Sequence, residues 1–255
     1  MKHIALRAKS IRTGDRPYTT PGLGDRIQSV LLAYQYGKAH NTPVTLHLTD
    51  DKWSIAGGVP SEKKKKSWKE IIELFPDNTV QVQPWPVQNL PEDEWLLYLK
   101  QKRIDAEIYY YKDTLHMHPN ETVVPLEMSQ YLKTPVMLEP KVKPWLPDKF
   151  ITVQWDSTDA GRTLSPLLRE GIHSKYDGTV IYVGGEGEGN FKTSLAHIGA
   201  AMAKADYHVG SDSGMFHLAQ LYKRFEDIHI YSKVGGYLSH HLVRAVNSGT
   251  KNTMV

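Results

Sequence analysis

The chain has 255 residues, 40% of them apolar and 23% charged, with a formal net charge of +3. That is enough apolar material for one large α/β core or two smaller ones. Cysteine is absent, which excludes disulfides, cysteine-ligated zinc and thiol catalysis; no apolar run approaches the roughly 18 residues of a membrane span; and the basic excess is too small to point to nucleic acid. These features fit a cytoplasmic protein.

In chain order, residues 4–8 read as a strand and not a signal sequence, followed by a polar loop over 9–20. Gly22, Leu23, Gly24, Asp25 and Arg26 then open a helical pattern with Ile27, Val30, Leu31 and Tyr34 on one face. Asn41-Thr42-Pro43 stops it, and residues 44–48 read as a strand. Lys63 to Lys66 form one dense basic run ahead of a helix carrying Trp68, Ile71, Ile72 and Phe75 on its apolar face. A solvated helix start explains the run; contact with an anionic acceptor or a membrane surface is the alternative. Strands near 79–83 and 106–111 flank a helix over 92–102. Four prolines (Pro135, Pro140, Pro144 and Pro147) mark a boundary between domains over 1–147 and 148–255.

Beyond the boundary, strands over 150–155, 179–183, 207–210 and 227–231 alternate with helices over 165–176, 192–204 and 214–222. That order predicts βαβ units and a parallel sheet. A last helix is expected over 238–246.

The most informative junction is Ser211-Asp212-Ser213-Gly214, where a strand runs into a helix with Met215, Leu218, Ala219 and Tyr222 on one face. Asp212 and Ser213 are helix-capping types, and Gly214 lets the backbone approach a ligand closely. A helix N-terminus at the carboxyl end of a strand suits a phosphate or diphosphate, and His217 adds a side-chain donor in the first turn. The same residues also describe an ordinary capped turn. Asp25 sits at a helix start, where the dipole favours a carboxylate able to take a proton from a hydroxyl; a simple helix cap is the other reading.

Gly184-Gly185-Glu186-Gly187-Glu188-Gly189 follows a strand. A dinucleotide fingerprint would need glycine where Asn190 stands, and a P-loop would need Lys192-Thr193 two residues earlier. Either Glu186 or Glu188 can accept from ribose hydroxyls, or the segment is a surface turn. Arg162 lies in the loop after the strand over 150–155, where a guanidinium suits a dianionic phosphate; an exposed loop arginine is the other reading. Histidines are scattered, with no carboxylate partner for His116 and His118 at helical spacing, so no metal site and no other cofactor is expected. The nucleophile elbow Gly-x-Ser-x-Gly is also missing.

Asp212-Ser213-Gly214-Met215-Phe216-His217-Leu218-Ala219 resembles the Asp-Ser-Gly-x-x-His-x-Ala segment of the bacterial lipopolysaccharide heptosyltransferases. Thr193 to Ile198, Met202 to Asp206 and the Gly-Gly-x-x-Glu turn at Gly184, Gly185 and Glu188 extend the likeness over about 150–232. The resemblance implies a GT-B fold: two Rossmann-like domains facing a cleft, the final helix packing back on the first. It implies a diphosphate cradle at Asp212, Ser213, Gly214, Met215 and His217, with Arg162 neutralising the leaving diphosphate and Gly184, Gly185 and Glu186 bordering the donor base and ribose. Gly24-Asp25 matches the pair that opens the family's first helix, which makes Asp25 the base, with Gly24 and Arg26 beside the donor. The implied activity is metal-independent sugar transfer from a nucleotide-diphosphate sugar to a glycan or lipid-linked acceptor. Gly22-Leu23-Gly24-x-Arg26 also resembles the GDP-fucose-dependent fucosyltransferases, which have Asn in place of Asp25. A binding protein that keeps the donor cradle without turnover is the third reading.

Overall fold

The computed structural model describes residues 1–7, 23–48, 68–83, 92–111, 114–119, 126–127, 136–157, 162–176, 178–184, 193–232 and 245–254. The chain divides into two compact units, Met1–Lys133 and Thr134–Val255.

The first unit holds β1 (Lys2–Arg7), α1 (Leu23–Ala39), β2 (Val44–Leu48), β3 (Val80–Gln83), α2 (Glu92–Gln101), β4 (Ala106–Tyr111), β5 (Thr114–Pro119) and β6 (Leu126–Glu127). Its sheet runs β3-β2-β1-β4-β5-β6; the first four strands are mutually parallel and the last two antiparallel. Alternating βαβ signals predict the parallel part. The antiparallel edge is additional, and its cause is the linker: only Lys112 and Asp113 separate β4 from β5. Two residues can join antiparallel neighbours, whereas a parallel crossover needs a dozen or more.

Helix α1 buries Ile27, Val30, Leu31, Leu32 and Ala33 against this sheet, with Tyr36 also buried. A Cβ at Gly37 would stand 2.7 Å from the Thr42 carbonyl oxygen, so the chain turns tightly into β2 there. Of the predicted apolar face, Trp68, Ile71 and Phe75 are buried and Ile72 is half-buried.

The second unit contains β7 (Phe150–Val153), α3 (Pro166–Lys175), β8 (Thr179–Tyr182), α4 (Leu195–Lys204), β9 (His208–Gly210), α5 (Gly214–Ala219), β10 (Ile228–Ser232) and β11 (Lys251–Met254). All five strands are parallel, in the order β11-β10-β9-β7-β8. From β7 the chain goes outward to β8, then returns to the other side of β7 as β9. Strand order reverses between β7 and β9, and open α/β sheets bind ligands at the carboxyl ends of strands flanking such a reversal.

Serine caps start both helices, α3 within one residue of the expected start and α4 three residues after it, at Leu195. Ser165 caps α3 by accepting from the Leu168 N–H, with Pro166 in the first turn, and Ser194 caps α4 by accepting from the His197 N–H. Gly199 of α4 lies against Tyr222, 2.5 Å from the ring for a Cβ placed there. The proline-containing segment over 136–149 packs on the second unit: Leu138 N donates to Leu221 O at 2.7 Å, and Leu146 joins Phe150, Ala201 and Ala205 in a buried cluster. The helix expected over 238–246 lies mostly outside the described residues. Residues 251–254, for which no strand is predicted, pair with β10 in the second sheet.

Candidate functional site

The carboxyl ends of β7, β8 and β9 bring several of the predicted residues together. Gln154 follows β7, and its backbone N–H donates to Val209 O at 2.8 Å, extending the ladder toward β9. Its side chain is buried and lies across the reversal point. The Oε1 atom accepts from Ser213 Oγ at 2.8 Å, and from Ser211 N and Ser211 Oγ, each at 3.3 Å. At the other end, Nε2 donates to the Asp156 carbonyl.

Ser213, and not Asp212, caps α5: its backbone is extended and its Oγ accepts from Met215 N at 3.3 Å. Helix α5 is six residues long, shorter than the pattern over 214–222 suggests, because the chain tightens into turns after Ala219. Met215, Phe216, Leu218 and Ala219 are buried, as is His217, whose ring centroid lies 5.2 Å from that of Phe216.

Arg162 reaches the same turn from the loop after β7, its Nη1 donating to Asp212 O at 2.8 Å. Asp212 itself is buried. Gly184, just past β8, has φ +70° and abuts Met215. Arg162, Gly184, Asp212, Ser213, Gly214, Met215 and His217 therefore cluster at one end of one sheet. Gly185 and Glu186, like Gly187 and Glu188, lie outside the described residues.

Gly24, Asp25 and Arg26 form a separate group in the first turn of α1 in the first unit. The other end of α1 meets the start of β2, through Thr42 N donating to Gly37 O, so its first turn lies toward the carboxyl end of β1. Gly24 is buried, and Asp25 and Arg26 are partly so. Asp25 O accepts from Ser29 Oγ at 2.8 Å. Burial lowers the Arg26 pKa, and the Asp25 charge opposes that shift. Gly22 lies outside the described residues.

The residue that sequence reading missed is Gln154. Nothing in a buried strand-end glutamine marks it in one dimension. Its partners lie 57 and 59 positions away and meet it only because β9 returns beside β7. One glycine carries an indirect signal. A Cβ at Gly210 would stand 3.1 Å from Gln154 Oε1, so this position makes room for the carboxamide. Among the described residues, no group of three or more His, Asp or Glu is placed to hold a metal ion, and no helix is long and apolar enough to cross a membrane.

No protein-family model and no curated protein matches the sequence. Among solved structures, the chain is similar to the glycosyl transferase family 9 protein from Veillonella parvula DSM 2008, with a TM-score of 0.55 and 12% identity over 100% of this chain and 86% of that one. It is also similar to the iron-containing dodecameric glycosyltransferase TibC from enterotoxigenic E. coli H10407, with a TM-score of 0.53 and 13% identity. That match takes in 99% of this chain and 61% of TibC, so the chain spans less than two thirds of TibC's length. At these identities the likeness is one of fold: two α/β units in succession, the first with a mostly parallel sheet and the second with a wholly parallel one, as in GT-B-like glycosyltransferases.

Proposed function

We propose that the protein is a glycosyltransferase that moves a sugar from a nucleotide-diphosphate sugar to a hydroxyl of a glycan or lipid-linked acceptor, without a metal ion. The observation that carries this reading is the convergence of Arg162, Gly184, Ser213, Gly214 and His217 at the reversal point of the second sheet. Ligands of open α/β sheets bind at that point. The fold likeness to glycosyltransferases supports it.

In this reading the donor diphosphate lies against the Ser213–Gly214 turn, with Met215 and Gly184 beside it and Gly185 and Glu186 bordering the nucleoside. Arg162, anchored on the Asp212 carbonyl, holds a fixed positive charge next to the turn, and His217 adds a donor. Together they stabilise the negative charge that develops as the sugar–phosphate bond breaks, the place where electrostatic stabilisation contributes most. The acceptor oxygen forms the new bond to the anomeric carbon, and the nucleoside diphosphate leaves with the electron pair. Asp25 takes the acceptor's proton, and Gly24 and Arg26 flank it.

A thermal-shift screen against UDP-, GDP-, ADP-, CMP- and dTDP-sugars, followed by donor-hydrolysis and transfer assays on the best binder, tests the reading. Stabilisation by one nucleotide-diphosphate sugar together with turnover is expected. Binding without turnover would leave a nucleotide-sugar-binding protein in place of an enzyme. Absence of any shift at millimolar donor would sink both.

A further inference from the structure

We propose that Gln154 is a positioning residue of the donor site: its carboxamide sets the shape of the Ser211–Gly214 turn through which the diphosphate is held. The inference rests on the nucleotide-sugar reading above for its ligand and on the hydrogen bonds alone for its geometry.

The orientation of the carboxamide is fixed at both ends. Ser211 N–H can only donate, so the atom facing it is the oxygen; the Asp156 carbonyl can only accept, so the atom facing it is the nitrogen. One oxygen with two lone pairs then takes three donors: Ser211 N, Ser211 Oγ and Ser213 Oγ. Ser213 Oγ is thereby held by its own proton, which aims its lone pairs at Met215 N and starts α5. The side chain is also closely packed. Gly210 lies against Oε1, and a Cβ at that position would stand 3.3 Å from both Gln154 Cβ and His208 Nε2. His208, buried beside it, is tied to Thr152 Oγ1 at 3.1 Å.

The two loops that leave β7 and β9 are thus joined by the Gln154 side chain through Ser211 and Ser213, and a second time by Arg162 through the Asp212 carbonyl. Gln154 acts through Ser211 and Ser213 and needs no contact with the sugar nucleotide. A turn held at Ser211, Asp212 and Ser213 presents its backbone N–H groups in one arrangement, so little ordering remains to be done when the diphosphate arrives.

The test uses the full chain with two substitutions and two measurements. Gln154→Met keeps the length of the side chain and removes the acceptor. In ligand-free protein, exchange of the Ser211 amide should speed up about tenfold or more while the Val153 and Val209 amides keep their protection. By calorimetry, affinity for the best of UDP, GDP or ADP should fall about tenfold, and affinity for the matching nucleoside should not change. Gln154→Glu copies the carboxamide only when protonated. Compared with wild type at the same pH, its nucleoside-diphosphate affinity should be much weaker near about pH 8 and recover near about pH 5.

Unchanged Ser211 exchange with unchanged diphosphate affinity in Gln154→Met overturns the proposal, as does an equal loss for nucleoside and diphosphate. Should Gln154→Met not fold, Gln154→Glu decides alone, and a pH-independent affinity ratio to wild type overturns the proposal. If wild-type protein binds no nucleoside diphosphate, the donor reading fails, and Ser211 exchange still decides whether Gln154 sets the turn.

Discussion

Gly184 and Met215 are packed so closely that a Cβ on Gly184 would stand 2.6 Å from Met215 Cγ and 3.1 Å from its Sδ. Met215 is the second residue of α5, so the end of β8 is seated directly on the start of that helix. Gly184 also has φ +70°, a region where a side chain is strained. Gly184→Ala should therefore destabilise the second unit by about 2–4 kcal/mol, the sum of backbone strain and overpacking. Urea titration measures it. Met215→Ala in the same chain should recover the packing part and leave the strain, so the double variant should be less destabilised than the sum of the two single variants. Simple additivity would show that the contact is not the cause.

Three buried histidines make stability depend on pH in a definite direction. Burial, with Lys223 adding to it, holds the His208 pKa down at about 3. His47 is lowered to about 4 by burial, then by His3 and Lys102, and His229 to about 4 by burial, then by Lys175 and Lys251. In the unfolded chain each titrates near about 6.5. Above that value neither state carries the extra proton, and the contribution to stability is complete. As pH falls from about 6.5 toward 4, the unfolded state takes up protons that the folded state refuses, and stability is lost. The loss is at most about 1.4 kcal/mol per pH unit for each histidine. His208→Asn, which keeps a polar partner for Thr152 Oγ1, should flatten the slope by about one proton. An unaltered slope would remove His208 from the cause.

Much of this architecture is readable in one dimension because its cause is local. Ser165-Pro166, Ser194 and Ser213 are capping signals that need only near neighbours, and the alternation of strand and helix periods after residue 150 dictates parallel pairing. Two features have causes that are not local. β11 forms from Lys251–Met254, a short polar segment with no hydrophobic alternation, and is a strand because β10 offers it an edge. Gln154 belongs to the site because strand order reverses beside it, and no spacing along the chain announces a contact between positions 154 and 213. Asp212 shows the converse: a capping residue type by sequence, it yields the cap to Ser213 and offers its backbone carbonyl to Arg162.

Asp25 lies in the first turn of α1, with Arg26 beside it and its carbonyl bonded to Ser29 Oγ. If it serves as base, Asp25→Asn should leave folding and donor affinity intact, since the substitution is isosteric and the Ser29 bond uses the backbone. Transfer should drop by about 10²-fold or more, the ordinary weight of general base catalysis. The informative pair of measurements is kcat beside calorimetric donor affinity. Near wild-type turnover would reduce Asp25 to a helix cap, and a parallel loss of donor affinity would make it a binding residue.

Arg162 and His217 approach the Ser211–Gly214 turn from different elements, one from the loop after β7 and the other from α5 itself. Each, if it faces the diphosphate, contributes a hydrogen bond to a charged group, worth about 1.5–3 kcal/mol. Arg162→Ala and His217→Ala should therefore each weaken nucleoside-diphosphate binding by about 10- to 150-fold. The matching nucleoside, which lacks the phosphates, should bind both variants as it binds wild type. Arg162→Ala also releases the Asp212 carbonyl, so Arg162→Lys serves as control: it restores charge but not the fork, and should recover only part of the loss. If side-chain and backbone donors alone hold the diphosphate, as proposed, EDTA should change neither binding nor transfer. Calorimetry with and without chelator separates the outcomes. An obligatory Mg²⁺ or Mn²⁺, or equal losses for nucleoside and nucleotide, would mean that the diphosphate is not held at this turn.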